Sequence, residues 1–600
     1  MFDSLKKVYK LLPRSDKYKF LFLFFMMIIA SFIELLGIGI IPAFIITIAD
    51  SDVVFSYPYV GDLLHLIGIQ TSKQLITFSA ILLMVIYFIK NAYLILYNYV
   101  KVKFVKKRLV ILQNRLFKAY LTAPYTYYIN QNSAILLRNV TSEVNKVITG
   151  TLLPLLEIIL STMMGLFIIG SLLYLEPLIT VVAIVVMLGG GLFFLNITRD
   201  KIKDAGRQDR RARASMNKVV LQALGAFKDT RVLKREKMFL DQYDKFAFQS
   251  VRANIYKSVV GAFPKSIIEL LLVLGILSIT LIMVWEGREF SVIMPILVLF
   301  GVAGVKMMPI FITVIKVSND LRYNAASVEV VYRDLKYLEK EYFEFKKDLL
   351  DDTKRLELNH EITLKNVSFH YPGTNEVVVD NVSLTIPKGS AIAFVGSSGA
   401  GKTTIVDIIL GLLEPGSGSV EVDGVNIQDN IHGWMENIGY IPQSIYLLDD
   451  KIFKNIAFGI PVDELDDFKL NAAIDAAQLK ELVEKIPGGI NSKIGEKGIR
   501  LSGGQQQRIG IARALYNNPQ VLIMDEATSA LDNLTEKVVI ESIERLRGDR
   551  TIIMIAHRLT TVQNCDMIYM MKDGKIVNQG TYEELLVTSS EFRKMSLIEE

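Results

Sequence analysis

Residues 396–403 read Gly-Ser-Ser-Gly-Ala-Gly-Lys-Thr, directly after the apolar run Ala391-Ile392-Ala393-Phe394-Val395. The stretch fits the G-x-x-x-x-G-K-[ST] phosphate-binding loop. Its context predicts a buried strand before the loop and a helix from about Lys402 after it. Gly396, Gly399 and Gly401 let backbone N–H groups converge on phosphate oxygens, and the helix adds the positive end of its dipole. Lys402 supplies a point charge for the β- and γ-phosphates, and the Thr403 hydroxyl is a candidate Mg²⁺ ligand. Ser397, Ser398, Ala400 and Thr404 complete the set expected around a bound ATP.

Further along, Val521-Leu522-Ile523-Met524 reads as another buried strand, ending in Asp525 and Glu526. An Asp there is a candidate to hold Mg²⁺, and the following Glu to polarise the attacking water. Residues 551–556 form a further apolar run before His557, a candidate to reach the γ-phosphate. Residues 362–369 alternate apolar and polar, as a half-buried strand does, and residues 382–386 do the same. Leu501-Ser502-Gly503-Gly504-Gln505 precedes a helical pattern in which Ser502 is the N-cap and Ile509, Ile511, Ala512 and Leu515 the apolar face.

These residues together resemble the ATP-binding cassette ATPases over about residues 358–595. The resemblance implies that Tyr371 stacks on adenine, and that Gln443 senses Mg²⁺ and touches the membrane domain. Residues 495–498 look like the loop with which exporters contact their membrane helices. Ser502, Gly503, Gly504 and Gln505 are the signature, presented in that family to a γ-phosphate held by the opposite subunit. Residues 529–532, with Asp532, resemble the loop lining the shared interface. His557 and Gln443 join Glu526 and Lys402 as the expected catalytic set. One chain carries one phosphate loop and one signature, so two copies complete two ATP sites, and a homodimer is expected.

The chain has 600 residues, too many for one core. Hydrophobic residues make up 51% and mean hydropathy is +0.35, with the apolar excess in the first half. Six runs are long enough to cross about 30 Å of hydrocarbon, near 19–49, 75–98, 147–175, 177–198, 262–285 and 290–317. Loop 101–146 carries nine Lys or Arg and loop 199–257 carries sixteen, whereas the three opposite connections carry two, Lys73 and Arg288. The positive-inside rule therefore places both long loops, the N-terminus and the C-terminal half in the cytoplasm of a multi-pass inner-membrane protein. The net charge of +5 is accounted for by this topology and assigns no nucleic-acid binding. The lone Cys565 forms no internal disulfide and reads as a structural thiol. The first apolar run is too long for a signal peptide.

The long loops keep helical periodicity, so the membrane helices are expected to continue outward and turn near residues 125–132 and 224–235. The expected fold is an α-helical six-span transmembrane domain followed by an α/β P-loop ATPase. The segments are an N-terminal elbow (1–18), a transmembrane domain (19–325), a linker (326–355) and a nucleotide-binding domain (356–600). Between the first two runs, Val60, Leu63, Leu64 and Ile67 suggest an amphipathic helix on the outer leaflet or a packed cap. Glu34, Lys90, Glu157, Lys265, Glu269 and Lys306 fall inside the spans. Each must face protein or water. Glu34, Glu269 and Lys306 are candidates for a substrate cavity, with helix–helix pairing as the alternative.

The whole pattern is similar to half-transporter exporters of the type I (type IV) fold, with twelve spans per dimer. Within them it resembles the bacterial flippases of lipid-linked oligosaccharides. The external stretch carries that likeness, as does Gly225-Ala226-Phe227-Lys228-Asp229-Thr230-Arg231-Val232-Leu233-Lys234-Arg235-Glu236. It departs from their tip pattern at Lys234, where a Gly is common. The implied activity is ATP-driven export or flipping of an amphiphilic, lipid-linked substrate, with membrane lipids and a second copy of the chain as partners. A drug, lipid or peptide exporter shares every strong motif, and an ATP-gated channel or sensor would keep the ATPase parts without moving substrate.

Overall fold

The computed structural model describes residues 2–11, 17–49, 51–56, 64, 66–175, 177–285, 287, 290–341, 354–374, 376–495, 498–499, 501–525, 541, 544–556 and 558–599. The chain divides into two compact units. One comprises Met1–Leu121 and Gln131–Glu341, the other Thr122–Asn130 and Tyr342–Glu600.

The first unit is helical. Its long helices are Lys17–Ala49, Ser72–Leu121, Leu153–Leu175, Pro177–Gly225, Glu236–Trp285 and Phe290–Glu341. Four of them have 49 to 52 residues. At 1.5 Å per residue that is about 75 Å, more than twice the hydrocarbon thickness. Among the described residues, Tyr18–Ile45, Ser72–Leu121, Ser133–Tyr174 and Phe300–Glu339 are long and apolar enough to cross a membrane. The other two expected runs lie within Pro177–Gly225 and Glu236–Trp285. Lys17–Ala49 is apolar all round, so polar groups bind it to its neighbour. Tyr87 donates to the Gly37 carbonyl (2.9 Å) and Tyr93 to that of Met26 (3.0 Å).

The helix leading into Leu153–Leu175 contains two π-helical turns, Asn139–Glu143 and Ile148–Leu152. The Asn324 side-chain amide donates to the Gly150 carbonyl within the second turn (3.0 Å). Outside the spans, polar clasps replace apolar packing. Asp209 accepts from Ser250 (2.6 Å), Asn254 (3.0 Å), Tyr323 (2.7 Å) and Arg213 (2.9 Å). Asp334 accepts from Tyr120 (2.7 Å) and Asn139 (3.1 Å).

Several expectations change here. The last helix runs on to Glu341, so the first part of the expected linker, 326–341, is helix. Val328, Val331, Leu335 and Leu338 keep three- and four-residue spacing and are all buried. Residues 342–353 lie outside the described residues. The N-terminal elbow is the helix Phe2–Leu11, with Val8 and Leu11 buried. Arg115 donates to the Leu11 carbonyl (2.9 Å) and pairs with Glu339 through two 2.7 Å bonds. In the external stretch, Leu64 packs with Ile69, Leu75, Val54 and Phe55, while Ile67 is exposed. Val60 and Leu63 lie outside the described residues.

Both loop tips carry short helices, Tyr125–Ile129 and Phe227–Val232. At the second, Lys234 takes φ = 54°. Arg235 N–H bonds to the Thr230 carbonyl (2.9 Å) and Lys234 N–H to that of Arg231 (3.2 Å). This is a Schellman cap, whose left-handed position favours Gly. Lys234 departs from the flippase-like pattern in side chain but occupies the backbone conformation that a Gly there would serve.

The second unit is α/β. Strands β1 (Glu361–His370), β2 (Val377–Pro387), β4 (Ser417–Val422) and β5 (Val425–Asn426) form an antiparallel sheet in the order β2-β1-β4-β5. Strands β3 (Ala391–Val395), β6 (Ile438–Ile441), β7 (Val521–Asp525), β8 (Thr551–Ile555), β9 (Met567–Lys572) and β10 (Lys575–Gly580) form a second sheet, β10-β9-β3-β8-β7-β6. In it only β10 is antiparallel. Every residue of β3 is buried, as a strand covered on both faces requires. Because β3, β6, β7 and β8 are parallel, their C-terminal ends share one edge, where ligands of such sheets bind.

Candidate ATP site and a charged cluster in the membrane unit

Strand β3 delivers the chain to Gly396, and the helix Lys402–Ile409 leaves from the far side of the loop. Gly401 caps that helix at φ = 96°, and a Cβ there would meet the Val378 carbonyl oxygen at 2.6 Å. Glycine is required on both counts. Lys402 is buried, and its ammonium donates to the carbonyls of Gly396 (2.8 Å) and Ser397 (3.0 Å). It therefore lies across the cradle that phosphates would fill. Ser397, Ser398, Gly399 and Thr403 are exposed, while Ala400 and Thr404 are buried. Tyr371 shares a hydrogen bond with Thr404 (3.1 Å) and stands edge-on to Phe369, which holds the expected adenine-stacking ring beside the loop.

Sheet register brings two more candidates to the same edge. Ile441 pairs with Met524, so the chain leaving β6 toward Gln443 emerges beside Asp525. Glu526, Asp532 and His557 lie outside the described residues. The signature folds as expected. Helix Gly503–Leu515 starts at Ser502, whose hydroxyl accepts from Gln505 N–H (3.3 Å) while Ser502 N–H donates to the Gln505 side chain (2.9 Å). Such a capping box satisfies two orphan donors. Gly504, Ile509, Ile511, Ala512 and Leu515 are buried, and Ser502 and Gly503 are exposed.

One group was missed in the sequence. Asp407 lies on the phosphate-loop helix, four residues after Thr403 and so on the same face. It is buried, and burial together with the nearby charge of Asp525 pushes its carboxyl up to about 6. Its signal was present: a single acid within Ile405-Val406-Asp407-Ile408-Ile409. Tyr440 is held above its ordinary range by burial and then by Asp525 and Asp407. Asp525, at the end of β7, and the exposed Thr403 hydroxyl are oxygen donors of the kind a hard divalent cation prefers. Among the described residues no three His, Cys, Asp or Glu form a metal cluster. Burial pushes the Cys565 thiol up to about 12, consistent with a structural thiol.

In the membrane unit the cavity candidates separate. Glu34 is buried and bridges two ammonium groups, Lys306 at 2.6 Å and Lys90 at 3.1 Å. Lys90 is 3% exposed and reaches past Gly37, where a Cβ would meet its Cδ at 3.1 Å. Glu157 pairs with Lys101 (3.7 Å). Lys265 and Glu269 are exposed on Glu236–Trp285, outside the Glu34 cluster.

Helices several times longer than a turn, apolar where they would cross a bilayer, and a phosphate-loop α/β unit define an ATP-driven membrane transporter. Residues 20–303 match the family described as ABC transporter transmembrane region, and residues 379–529 match the family described as ABC transporter. The chain belongs to the ABC transporters, as an exporter half-transporter with an ATPase coupled to transport. It is 27% identical over 491 residues to an ATP-dependent lipid A-core flippase of Burkholderia orbicola, covering 80% of this chain and 79% of that protein. It is 27% identical over 562 residues to the flippase of the same description in Cupriavidus pinatubonensis, covering 92% and 90%. Its fold matches a solved bacterial Atm1-family ABC exporter with ATP bound, at a TM-score of 0.77 and 19% identity, over 98% of this chain and 99% of that one.

Proposed function

We propose that two copies of this chain form an ATP-driven flippase for an amphiphilic lipid with a large polar headgroup, most specifically a lipid-linked oligosaccharide. The single observation that carries the reading is likeness along most of the chain to proteins described as lipid A-core flippases. The tip sequence 225–236, with its left-handed turn at Lys234, supports the narrower substrate. Each sugar hydroxyl carried into hydrocarbon costs about 4–8 kcal/mol, so such a lipid does not cross unaided at a useful rate.

The phosphate-loop residues 396–404 grip ATP, with Tyr371 on the adenine. Thr403, Asp525 and Gln443 would hold Mg²⁺, which would neutralise phosphate charge. Glu526 polarises the attacking water and His557 contacts the γ-phosphate. Ser502, Gly503, Gly504 and Gln505, with Asp532, complete the site of the second copy. Closure of two such sites swings the membrane helices from inward- to outward-facing, with both ATPase units in the cytoplasm. Driving a two-state element from 1:99 to 99:1 takes about 5.5 kcal/mol of differential affinity.

The test is reconstitution in liposomes carrying headgroup-labelled lipid-linked oligosaccharide, lipid A-core or a plain phospholipid, with flipping followed on ATP addition. Wild type should flip the oligosaccharide lipid, and Glu526→Gln should bind ATP without hydrolysing or flipping. Flipping of lipid A-core alone would correct the substrate. Full hydrolysis by Glu526→Gln would refute the assigned base.

A further inference from the structure

The chain leaving β6 is tied down again after three residues. Pro442, Gln443 and Ser444 bridge from the sheet, where Ile441 pairs with Met524, to Ile445 and Tyr446, which lie against the signature helix Gly503–Leu515. Two contacts make that second anchorage. Gly510 is buried on the helix, and a Cβ there would collide with the Ile445 side chain. A mid-helix Gly costs about 0.5–1 kcal/mol against Ala, so a Gly here fits an approach that no larger residue allows. Three residues on, and so on the same face, Arg513 directs every arm of its guanidinium at the loop 446–455. Nη1 donates to the Tyr446 carbonyl (3.0 Å), Nε to the Asn455 carbonyl (2.8 Å) and Nη2 to Asn455 Oδ1 (3.3 Å). Its Cζ stands over the Phe458 ring, 4.6 Å from the centroid. Asn455 is fully buried and closes the loop from inside. Its Oδ1 accepts from Leu448 N–H (2.7 Å), and its Nδ2 donates to the carbonyls of Leu448 (3.1 Å) and Lys451 (3.2 Å). None of the acceptors of Arg513 is on its own helix, so a cation complementing the helix C-terminus does not account for it.

We propose that Arg513 is a positioning residue for Gln443: it fastens Tyr446 and Asn455 to the signature helix and so holds Gln443, three residues before Tyr446, at the C-terminal edge of the sheet. Three residues reach at most about 10 Å, and Pro442 has its φ locked by its ring. A bridge that short, held at both ends, leaves Gln443 little room. Without Arg513 the far end keeps only the apolar contact of Ile445, which has no fixed direction. Lysine is no substitute, since an ammonium is a point charge and not a planar fork of donors. The inference rests on the reading of Gln443 as a group for nucleotide-bound Mg²⁺, and Gln443→Ala tests that reading separately.

The experiment uses the full-length protein in lipid nanodiscs. Arg513→Lys and Arg513→Met should each lower kcat for ATP hydrolysis about tenfold, and weaken Mn²⁺ binding to the AMP-PNP-bound protein, read by electron paramagnetic resonance, by a similar factor. Affinity for mant-ATP in EDTA should stay at the wild-type value, since none of the hydrogen bonds of Arg513 reaches residues 396–404. In nucleotide-free protein, amide exchange over residues 442–448 should quicken about tenfold in Arg513→Met, while that over 503–512 stays as in wild type. In a Gln443→Ala background, Arg513→Lys should weaken Mn²⁺ binding no further, because both changes act through one side chain. Wild-type Mn²⁺ affinity in both Arg513 variants, with Gln443→Ala weakened, would overturn the role of Arg513 alone. Wild-type affinity in Gln443→Ala would overturn the reading of Gln443 and this inference with it. Additive losses in the double variant, or exchange raised equally over 442–448 and 503–512, would show that Arg513 only stabilises the unit and sink the idea. If Arg513→Met fails to fold, Arg513→Lys, which keeps the charge, decides alone on Mn²⁺ affinity.

Discussion

Replacing Glu34 by Gln removes the one carboxylate between Lys90 and Lys306. Lys90 is 3% exposed and 3.1 Å from Glu34, threaded past Gly37, so it cannot withdraw to solvent. Lys306 is about one-third exposed at its side chain and retains a route to water. Breaking a buried ion pair by deleting one partner costs about 3–5 kcal/mol, and an uncompensated charge at mid-bilayer costs about 2.5–3.5 kcal/mol on the lenient scale. We therefore expect Glu34→Gln to destabilise the membrane unit by about 3 kcal/mol. Lys90→Met should cost less, because Glu34 keeps Lys306 at 2.6 Å and no unpaired buried charge is left. Lys306→Met should cost no more than about 1 kcal/mol, the range of a partly solvated pair. Combining Glu34→Gln with Lys90→Met should recover most of the loss, since no buried charge is left over. Thermal unfolding of the purified protein in nanodiscs reads this as a midpoint lowered on the order of 4 °C for Glu34→Gln. A Glu34→Gln protein that melts within a degree or two of wild type but no longer moves lipid would refute the structural pairing. It would assign Glu34 to the cargo path.

Lys234→Gly should stabilise the first unit by about 0.5–1 kcal/mol, because the left-handed cap costs Gly nothing; a lower melting midpoint would contradict this. Asp407 has its carboxyl raised from 3.8 to about 6, so the folded state binds the extra proton between those values. Stability then falls as pH rises through about 4 to 6 and stays lower above. In nucleotide-free protein, Asp407→Asn should gain up to about 3 kcal/mol at pH 7.5 and nothing at pH 4. Trp434, buried with its indole N–H on the Ile409 carbonyl (2.7 Å), reports this unit's unfolding in a Trp285→Phe background. An equal gain at both pH values would show that the charge is not responsible. Ser502→Ala should cost about 1 kcal/mol through the lost capping box and abolish hydrolysis while leaving monomer ATP binding intact. Cys565 should resist maleimide in the native protein at pH 7.5 and label fully in denaturant; rapid native labelling would show the site to be open.

Strands and phosphate loop were legible because their signals are local. The all-apolar run 391–395, the glycines at 396, 399 and 401, and Ser502 with Gln505 three residues on each decide their own backbone within a few residues. Among the described residues, four long apolar spans and the extension of the helices beyond them were legible for the same reason, since apolar length is summed along the chain. The end of the last helix was misread because residues 326–341 carry charge at the surface and apolar groups only where the fold buries them.

By itself, then, the sequence determined that this is a six-span transporter fused to an ATP-binding cassette, and where each motif begins. Only the tertiary structure decided that Glu34 takes two ammonium partners, that Lys234 sits in a glycine's conformation, and that Asp407 lies buried beside Asp525. The reason is range. A helix or loop is specified by neighbours a turn away, whereas an ion pair 272 positions apart in the chain or a carboxyl's burial exists only once distant elements are packed together.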